Sequence, residues 1–471
     1  MATSVDPRAA ASLADAQPRS FWLDDPAAPP AAAALTATTR ADLVVVGGGY
    51  TGLWTALHAK AGDPARDVVV LEAATCGWAA SGRNGGFCNA SLTHGLPNGV
   101  ERFADELPTL LRLGRENLDG MEKDLARLGI DAQFERTGEL DVATQAWQVE
   151  ELAEVAATAA AYGLDWRYLD GDATRAAGAA SPSYLAGLLD ADGSALVHPG
   201  LLAWGLRTAC LAAGVRIYEN TPARSLERDG AGMRVTTPYG AVRAAKVALA
   251  TNAFPSLLRR VRPYLVPVWD YVLVTEPLSP AQREAIGWSS RVGIGDAGNQ
   301  FHYYRLTADH RILWGGYDAV YYYGSAMGAD KASRPSTYLA LAGQFFDTFP
   351  QLEGLRFSHA WGGAIDTCTR FTAFWGSGYD GRVGYVAGYT GLGVAATRFG
   401  AQVLLDRLDG ADTEATRLRM VASKPLPFPP EPLRWTGITA TRVSLARADA
   451  DGGRRNLWLR ALDRVGLGFD S

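Results

Sequence analysis

The stretch Asp42-Leu43-Val44-Val45-Val46-Gly47-Gly48-Gly49-Tyr50-Thr51-Gly52 decides how this chain is read. Asp42 to Val46 is a short β-branched run typical of a strand buried on both faces. Three glycines follow, and Tyr50 to Lys60 then reads as a helix. A second buried strand, Asp67-Val68-Val69-Val70-Leu71, closes a β–α–β unit of about 30 residues, the expected size. The glycines fit G-x-G-x-x-G in the correct context. Gly47 permits the tight turn, Gly49 lets backbone approach a pyrophosphate, and Gly52 lets helix and strand pack closely. Free N–H groups at the helix start, at Tyr50 and Thr51, then meet the phosphate charge. Glu72, twenty residues past Gly52, ends the second strand where ribose hydroxyls would lie. No Arg follows it directly, so a 2′-phosphate is not provided for. A glycine triplet alone can be plain packing; both strands and Glu72 together mark dinucleotide binding.

Outward from this unit, Gly77-Trp78-Ala79-Ala80-Ser81-Gly82-Arg83-Asn84-Gly85-Gly86-Phe87 is a loop of small residues with one Arg and one Asn. It is suited to wrap a second phosphate and a ring system, although glycine clusters also make ordinary turns. Ala250-Thr251-Asn252-Ala253 ends a strand and returns the chain toward the pyrophosphate. Tyr389-Thr390-Gly391-Leu392-Gly393 precedes a helix, whose start offers N–H groups and a positive dipole end to an anionic ring. Reduced flavin carries such charge near its N1/O2 edge. Cofactor contacts are therefore expected from Gly47, Gly49, Tyr50, Thr51, Gly52, Glu72 and Ala73, and from Ser81, Gly82, Arg83, Asn84, Gly85 and Gly86. Further along they are expected from Ala223, Thr251, Asn252, Gly362, Thr390, Gly391, Leu392 and Gly393.

The 471 residues exceed the usual domain size about threefold, which predicts at least two structural units. With 48% hydrophobic and 20% charged residues, a disordered tail protein is excluded. A net charge of −5 with interspersed signs argues against a dedicated nucleic-acid surface. No apolar stretch reaches the roughly 20 residues that span a bilayer. Met1 to Arg19 has no apolar signal core. Cys76, Cys88, Cys210 and Cys368 are far apart, so neither a metal site nor a disulfide framework is expected, and a reducing cytoplasm is the expected compartment.

The expected fold is mixed α/β. Its parts are a Rossmann domain for a dinucleotide and a discontinuous substrate domain on an antiparallel or mixed sheet. Residues 1–38 read as an arm with Phe21 and Trp22 as anchors; 39–100, 196–260 and 360–422 as the FAD domain; 101–195 and 261–359 as the substrate domain. Residues 423–471 read as a proline-rich strap, Lys424 to Pro432, and a short amphipathic helix, Leu457 to Val465. Val266 to Tyr323 is dense in aromatic residues at period two, as in an antiparallel sheet with one covered face.

Assembled, these residues resemble the D-amino-acid-oxidase-like superfamily of FAD-dependent amine and amino-acid oxidoreductases, most of all its gamma-glutamylputrescine oxidase branch. The resemblance covers about residues 20 to 410. It rests on Gly47–Gly52, Glu72, Ser81–Gly86, Ala250–Ala253, Tyr303 to Thr307, Trp314-Gly315-Gly316, Trp361-Gly362-Gly363 and Tyr389–Gly393. It implies that the Rossmann domain is of the glutathione-reductase type and binds FAD, with flavin at the junction of two domains, and hydride removal from a carbon bearing nitrogen, giving an imine that water hydrolyses. Where amino-acid-oxidising relatives carry an Arg for the substrate carboxylate, this sequence has Trp361, which suits an amine better. Relatives with covalent FAD use a Cys near this point; Cys368 is several residues away, so noncovalent FAD is expected. Those relatives also place a Lys beside the flavin, whereas Lys60, Lys123, Lys246, Lys331 and Lys424 all lie outside the aromatic strands. Either dioxygen or another acceptor therefore remains open.

Hydride transfer from an amine needs a neutral amine, placement over flavin N5 and exclusion of water. An aromatic pocket helps with each and holds residual cation by cation–π contact. Candidate walls are Trp269 and Tyr271, then His302 and Tyr304, then Trp314, Tyr317 and Trp361, although any single ring can be ordinary core. His94 stands within reach of the substrate side or as a structural residue; His198 reads as a helix cap. Asp366 and Arg370 read as an ion pair, structural or binding a charged substrate tail. Two other readings compete with the FAD amine oxidase or dehydrogenase. A flavin monooxygenase draws on Gly295-Asp296, which sits in a strand-like context; a non-catalytic flavin protein would use the strap for docking.

Overall fold

A computed structural model describes residues 6–464 and 466. Val465, the last residue of the expected terminal helix, lies outside them. Two large sheets organise the chain. In the first, eight-stranded sheet, β1 (Thr39–Val46) lies between β2 (Val68–Leu71) and β3 (Ala241–Leu249), parallel to both. Five of its strands run parallel in the order β4 (Val383–Ala387), β3, β1, β2 and Arg216–Tyr218. The continuous apolar runs are explained by cover on both faces. Helix α1 (Tyr50–Gly62) and helix α2 (Gly393–Asp409) press on one face, and a second apolar core fills the other.

The second, nine-stranded sheet is mostly antiparallel. Its spine is β5 (Val266–Thr275), paired along its length with β6 (Phe357–Thr367) and on its other edge with Ile312–Gly316. Strand β7 (His302–Leu306) follows Ile312–Gly316 in the order. Helix α3 (Pro335–Thr348) packs Leu341, Phe345 and Phe346 on one face of this sheet, in a core shared with Tyr271, Tyr304 and Trp314.

Three parts of the chain sit otherwise than the sequence reading expects. The boundary at 360 falls inside β6, which belongs to the second sheet because it pairs with β5. Helix Leu107–Leu128, expected with the substrate domain, buries Leu110, Leu118, Met121 and Leu125 in the core around α1 and α2. Beyond the strap, Leu433–Ala450 forms an 18-residue helix, α4, ahead of α5 (Leu457–Arg464). Only Ser444, Leu445 and Ala448 of α4 are buried, so its apolar stripe is too thin to stand out in sequence. The arm is not a free tether. Trp22 is 1% exposed and gives its Nε1–H to Asn84 O at 2.8 Å, while Ser20 Oγ donates to Gly82 O at 2.8 Å.

Candidate active site

The glycine turn shows why its residues are small. A Cβ on Gly52 would stand 1.8 Å from Gly47 O, and one on Gly47, at φ +112°, would stand 2.3 Å from Ala250 O. Thr251 and Asn252 therefore leave β3 beside the turn. Gly49 has no side chain to cap the start of α1, and of its first N–H groups Tyr50 N–H donates to Ser81 Oγ at 3.0 Å. Glu72 is buried and accepts from Gly48 N at 2.7 Å, Ala74 N at 2.9 Å and Trp78 Nε1 at 2.8 Å. Burial raises its carboxyl above the usual range despite those three donors. A carboxylate offers about four lone-pair sites, so one remains for a ribose hydroxyl. Ala73 follows it, and Ala223 packs at the edge of the sheet's outer core.

The loop Ser81–Gly86 is held from outside by its carbonyls. Trp361 Nε1 donates to Arg83 O at 2.9 Å, and the buried Arg305 donates to Gly86 O at 3.4 Å and Val197 O at 2.7 Å. Asn84 Oδ1 accepts from Gly86 N at 2.9 Å. The Arg83 guanidinium donates to Trp78 O at 3.0 Å and Gly362 O at 3.1 Å; burial lowers its pKa. At the other end, Asp366 accepts from Gly388 N at 2.6 Å and fixes the turn that carries Thr390 and Gly391. Its carboxyl is pushed up to about 7 by burial. Arg370 does not pair with it, because its guanidinium is taken up by the carbonyls of Ala373, Met420 and Ser423. The start of α2 at Gly393 carries no side-chain cap.

Against the second sheet lies a cavity of about 1060 Å³. Arg83, Asn84, Gly85, His94, Thr390, Gly391 and Leu392 line it, so two segments three hundred residues apart meet there. Tyr317 lines it too. His94 is half-buried, and its Nδ1, which is itself buried, has no hydrogen-bond partner among the described residues. Burial lowers its pKa to about 4, so the imidazole is neutral at pH 7.

Most of the expected aromatic wall faces elsewhere. Along β5 the cavity side carries Val266, Val268, Asp270 and Val272, opposite in phase to Trp269 and Tyr271. Tyr271 Oη donates to Lys331 O at 2.9 Å and meets Tyr322 Oη at 2.8 Å on the α3 side. Tyr304 Oη meets Tyr184 Oη at 2.8 Å in the same core. His302 lies between Asp296 at 2.6 Å and Gln344 at 3.0 Å, stacked on Trp314. Burial alone would lower its pKa, but the Asp296 carboxylate outweighs that and raises it. Asp296 is thus committed to His302 at the end of the strand Gly293–Asp296. Trp361 packs with Trp22, Val272 and Leu313, below the loop it holds. Tyr271→Phe should therefore change amine-dependent flavin reduction by less than about twofold while lowering stability by about 1 kcal/mol, checked by stopped flow and urea unfolding.

In place of those rings the cavity presents Asp270 and Tyr303, which sequence reasoning missed. Tyr303 Oη donates to Asp270 Oδ2, and Tyr271 N–H and Gly316 N–H also point at this carboxylate. Burial pushes Asp270 up to about 6, and among the described residues no cation pairs with it. Glu139, also on the lining, accepts from Ser194 Oγ at 2.8 Å and from Asn89; burial lifts it to about 7. The available signal was a lone carboxylate inside a ten-residue apolar strand.

The family model for FAD-dependent oxidoreductases of the DAO type matches residues 42–407. The chain belongs to the DAO family. It is therefore an FAD-dependent oxidoreductase of mixed α/β fold. Among curated relatives, the gamma-glutamylputrescine oxidoreductase of Escherichia coli is 34% identical over 406 residues, covering 84% of this chain and 89% of that protein. A probable oxidoreductase OrdL of Haemophilus influenzae is 26% identical, again over 84% and 89%. Glycine oxidase from Bacillus cereus superposes with a TM-score of 0.67 at 17% identity, covering 82% of this chain and 99% of that one. The residues of this DAO-family chain fit the cofactor on physical grounds. A glycine turn that no Cβ could enter, a buried carboxylate with spare acceptor capacity and two helix starts whose own Ncap residues give no side-chain cap suit a ligand with phosphates and an anionic ring. Among the described residues no group of His, Cys, Asp and Glu could hold a metal ion, and no helix is long and apolar enough to cross a membrane.

Proposed function

We propose that this chain oxidises the C–N bond of a primary or secondary amine whose nitrogen sits beside Asp270, and that water hydrolyses the imine formed. The observation that carries this reading is the Asp270 carboxylate, facing the cavity without a cation of its own among the described residues. The 34% identical relative, a gamma-glutamylputrescine oxidoreductase, points the same way. FAD when bound supplies the acceptor for a hydride and its electron pair. Gly47, Gly49, Gly52 and Glu72 would hold its nucleotide end. Ser81 to Gly86 would hold the middle, and Thr390 to Gly393 the ring, with no covalent link. Cys368 lines the cavity, but its Sγ lies 3.2 Å from Thr372 O and burial raises its pKa, which disfavours the reactive thiolate.

Asp270 draws an ammonium to the cavity, and its raised pKa makes it a better proton acceptor than an ordinary aspartate. Neutral His94 adds no repulsion. No lysine lines the cavity among the described residues, which favours an acceptor other than dioxygen. The test is an anaerobic titration of the purified yellow protein with polyamines, N-methyl amines and amino acids. Bleaching by an amine is the expected result, with FAD released into the supernatant after acid precipitation. A spectrum that stays oxidised throughout the panel refutes the amine, and flavin that stays with the pellet refutes noncovalent binding. Re-oxidation in air, followed in the same cuvette, measures the acceptor preference.

A further inference from the structure

The family match ends at Arg407, yet the cavity does not. Leu426 and Phe428 of the strap, Ile438, Thr441 and Leu445 of α4, and Trp458 of α5 all line it. This segment is fastened at several points. Thr369 Oγ1 donates to Leu426 O at 2.8 Å and Phe428 N to Pro263 O at 2.7 Å. Tyr321 Oη donates to Glu431 at 2.6 Å, Arg442 pairs with Asp318, and the backbone N–H groups of Asn299 and Gln300 reach the Asp449 carboxylate at 2.9 and 3.0 Å. Helix α5 packs Leu459 on Leu445 and Ala448, and Trp458 Nε1 donates to Thr441 Oγ1 at 2.9 Å.

Positions 433, 434, 436, 437, 438, 440, 441, 442 and 445 of α4 all border the cavity, more than half of the helix circumference. Among them stands Gly437, where an added Cβ would meet no atom within 4 Å. Glycine inside a helix costs about 1 kcal/mol relative to alanine, and no close approach of backbone explains it here. What its missing side chain leaves is room under the helix.

We propose that residues 424–464 are the roof of the substrate chamber and that Gly437 sets how long an amine the chamber admits. This rests on the reading that the cavity takes the amine. The substrate class is then an alkylamine whose nitrogen lies at Asp270 and whose chain runs on beneath α4, against Ile438, Leu445 and Trp458.

Two measurements test it. In Gly437→Phe, loaded with FAD, the rate of anaerobic flavin reduction is compared across amines from propylamine to N-acylated diamines. The ratio of the longest to the shortest should fall by roughly tenfold or more, with Gly437→Ala nearer the parent protein. An unchanged ratio overturns the assignment of Gly437. The second measurement does not depend on turnover. The four native thiols are buried, so in Gly437→Cys a maleimide reports on position 437. N-ethylmaleimide should label it, while a maleimide on a long polyethylene glycol chain should label it far more slowly than it labels Ala450→Cys on the exposed side of the same helix. Equal labelling by the large reagent overturns the roof. If no amine bleaches the parent protein, the amine reading fails, and the labelling still decides the roof.

Discussion

Glu72→Ala should purify largely free of flavin. The carboxylate is the acceptor for three buried donors, at Gly48, Ala74 and Trp78. In the proposed reading its one remaining acceptor site takes a ribose hydroxyl of FAD. A hydrogen bond to a charged acceptor contributes about 1.5–3 kcal/mol, so loss of that contact should weaken FAD binding roughly ten- to a hundredfold. The orphaned donors add a separate cost of about 1–3 kcal/mol each where water cannot reach them. Two readouts separate the effects. The ratio of flavin to protein absorbance after gel filtration, with excess FAD and without, reports binding; the melting temperature of the flavin-free protein reports the donors. Full flavin occupancy in the variant would remove Glu72 from the ribose. Glu72→Gln should fall between the two, since its amide keeps one oxygen but turns N–H groups toward existing donors.

Asp270→Asn should cut the second-order rate of flavin reduction by a cationic amine about a hundredfold, through weaker binding more than through a slower limiting rate. The carboxylate ordinarily titrates near 3.8 and is lifted to about 6 here by burial. Attraction for an ammonium requires the ionised form, so the reduction rate at low amine concentration should rise as pH passes upward through about 6, and the variant should lose that limb. The stability consequence has the opposite sense. A carboxyl whose folded pKa lies above its unfolded value binds its proton more tightly in the native state, so its contribution to stability declines as pH rises from about 4 to 6. Asp270→Asn should flatten that decline in urea unfolding. If the variant keeps both the pH limb and the parent rate, the amine does not sit at Asp270. Glu139, lifted to about 7, would then be the group to replace next.

Both residues show how far the sequence reaches. Glu72 was legible because a β–α–β unit is local. Its strand, turn and helix follow in one short stretch, and twenty residues of known geometry place a carboxylate at the end of β2. The Tyr271 and Asp270 pair was legible only up to a choice of sign. Alternation along β5 separates two faces but does not say which one borders empty space. Here the bulky rings, Tyr271, Tyr304 and Trp314, fill the solid core against α3, whereas the cavity face carries smaller valines around Asp270 and Tyr303. A chamber must leave room, so aromatic density marks the packed side.

The chain's order of residues by itself determined the β–α–β unit with its glycine turn and the family, because each depends on neighbours close in sequence or on a motif with one backbone solution. The tertiary structure alone decided that β6 joins β5, that the arm's Trp22 holds Asn84, and that α4 closes over the cavity. Those pairings join residues tens to hundreds of positions apart, and the burial and hydrogen bonding that select them exist only once both partners are in place.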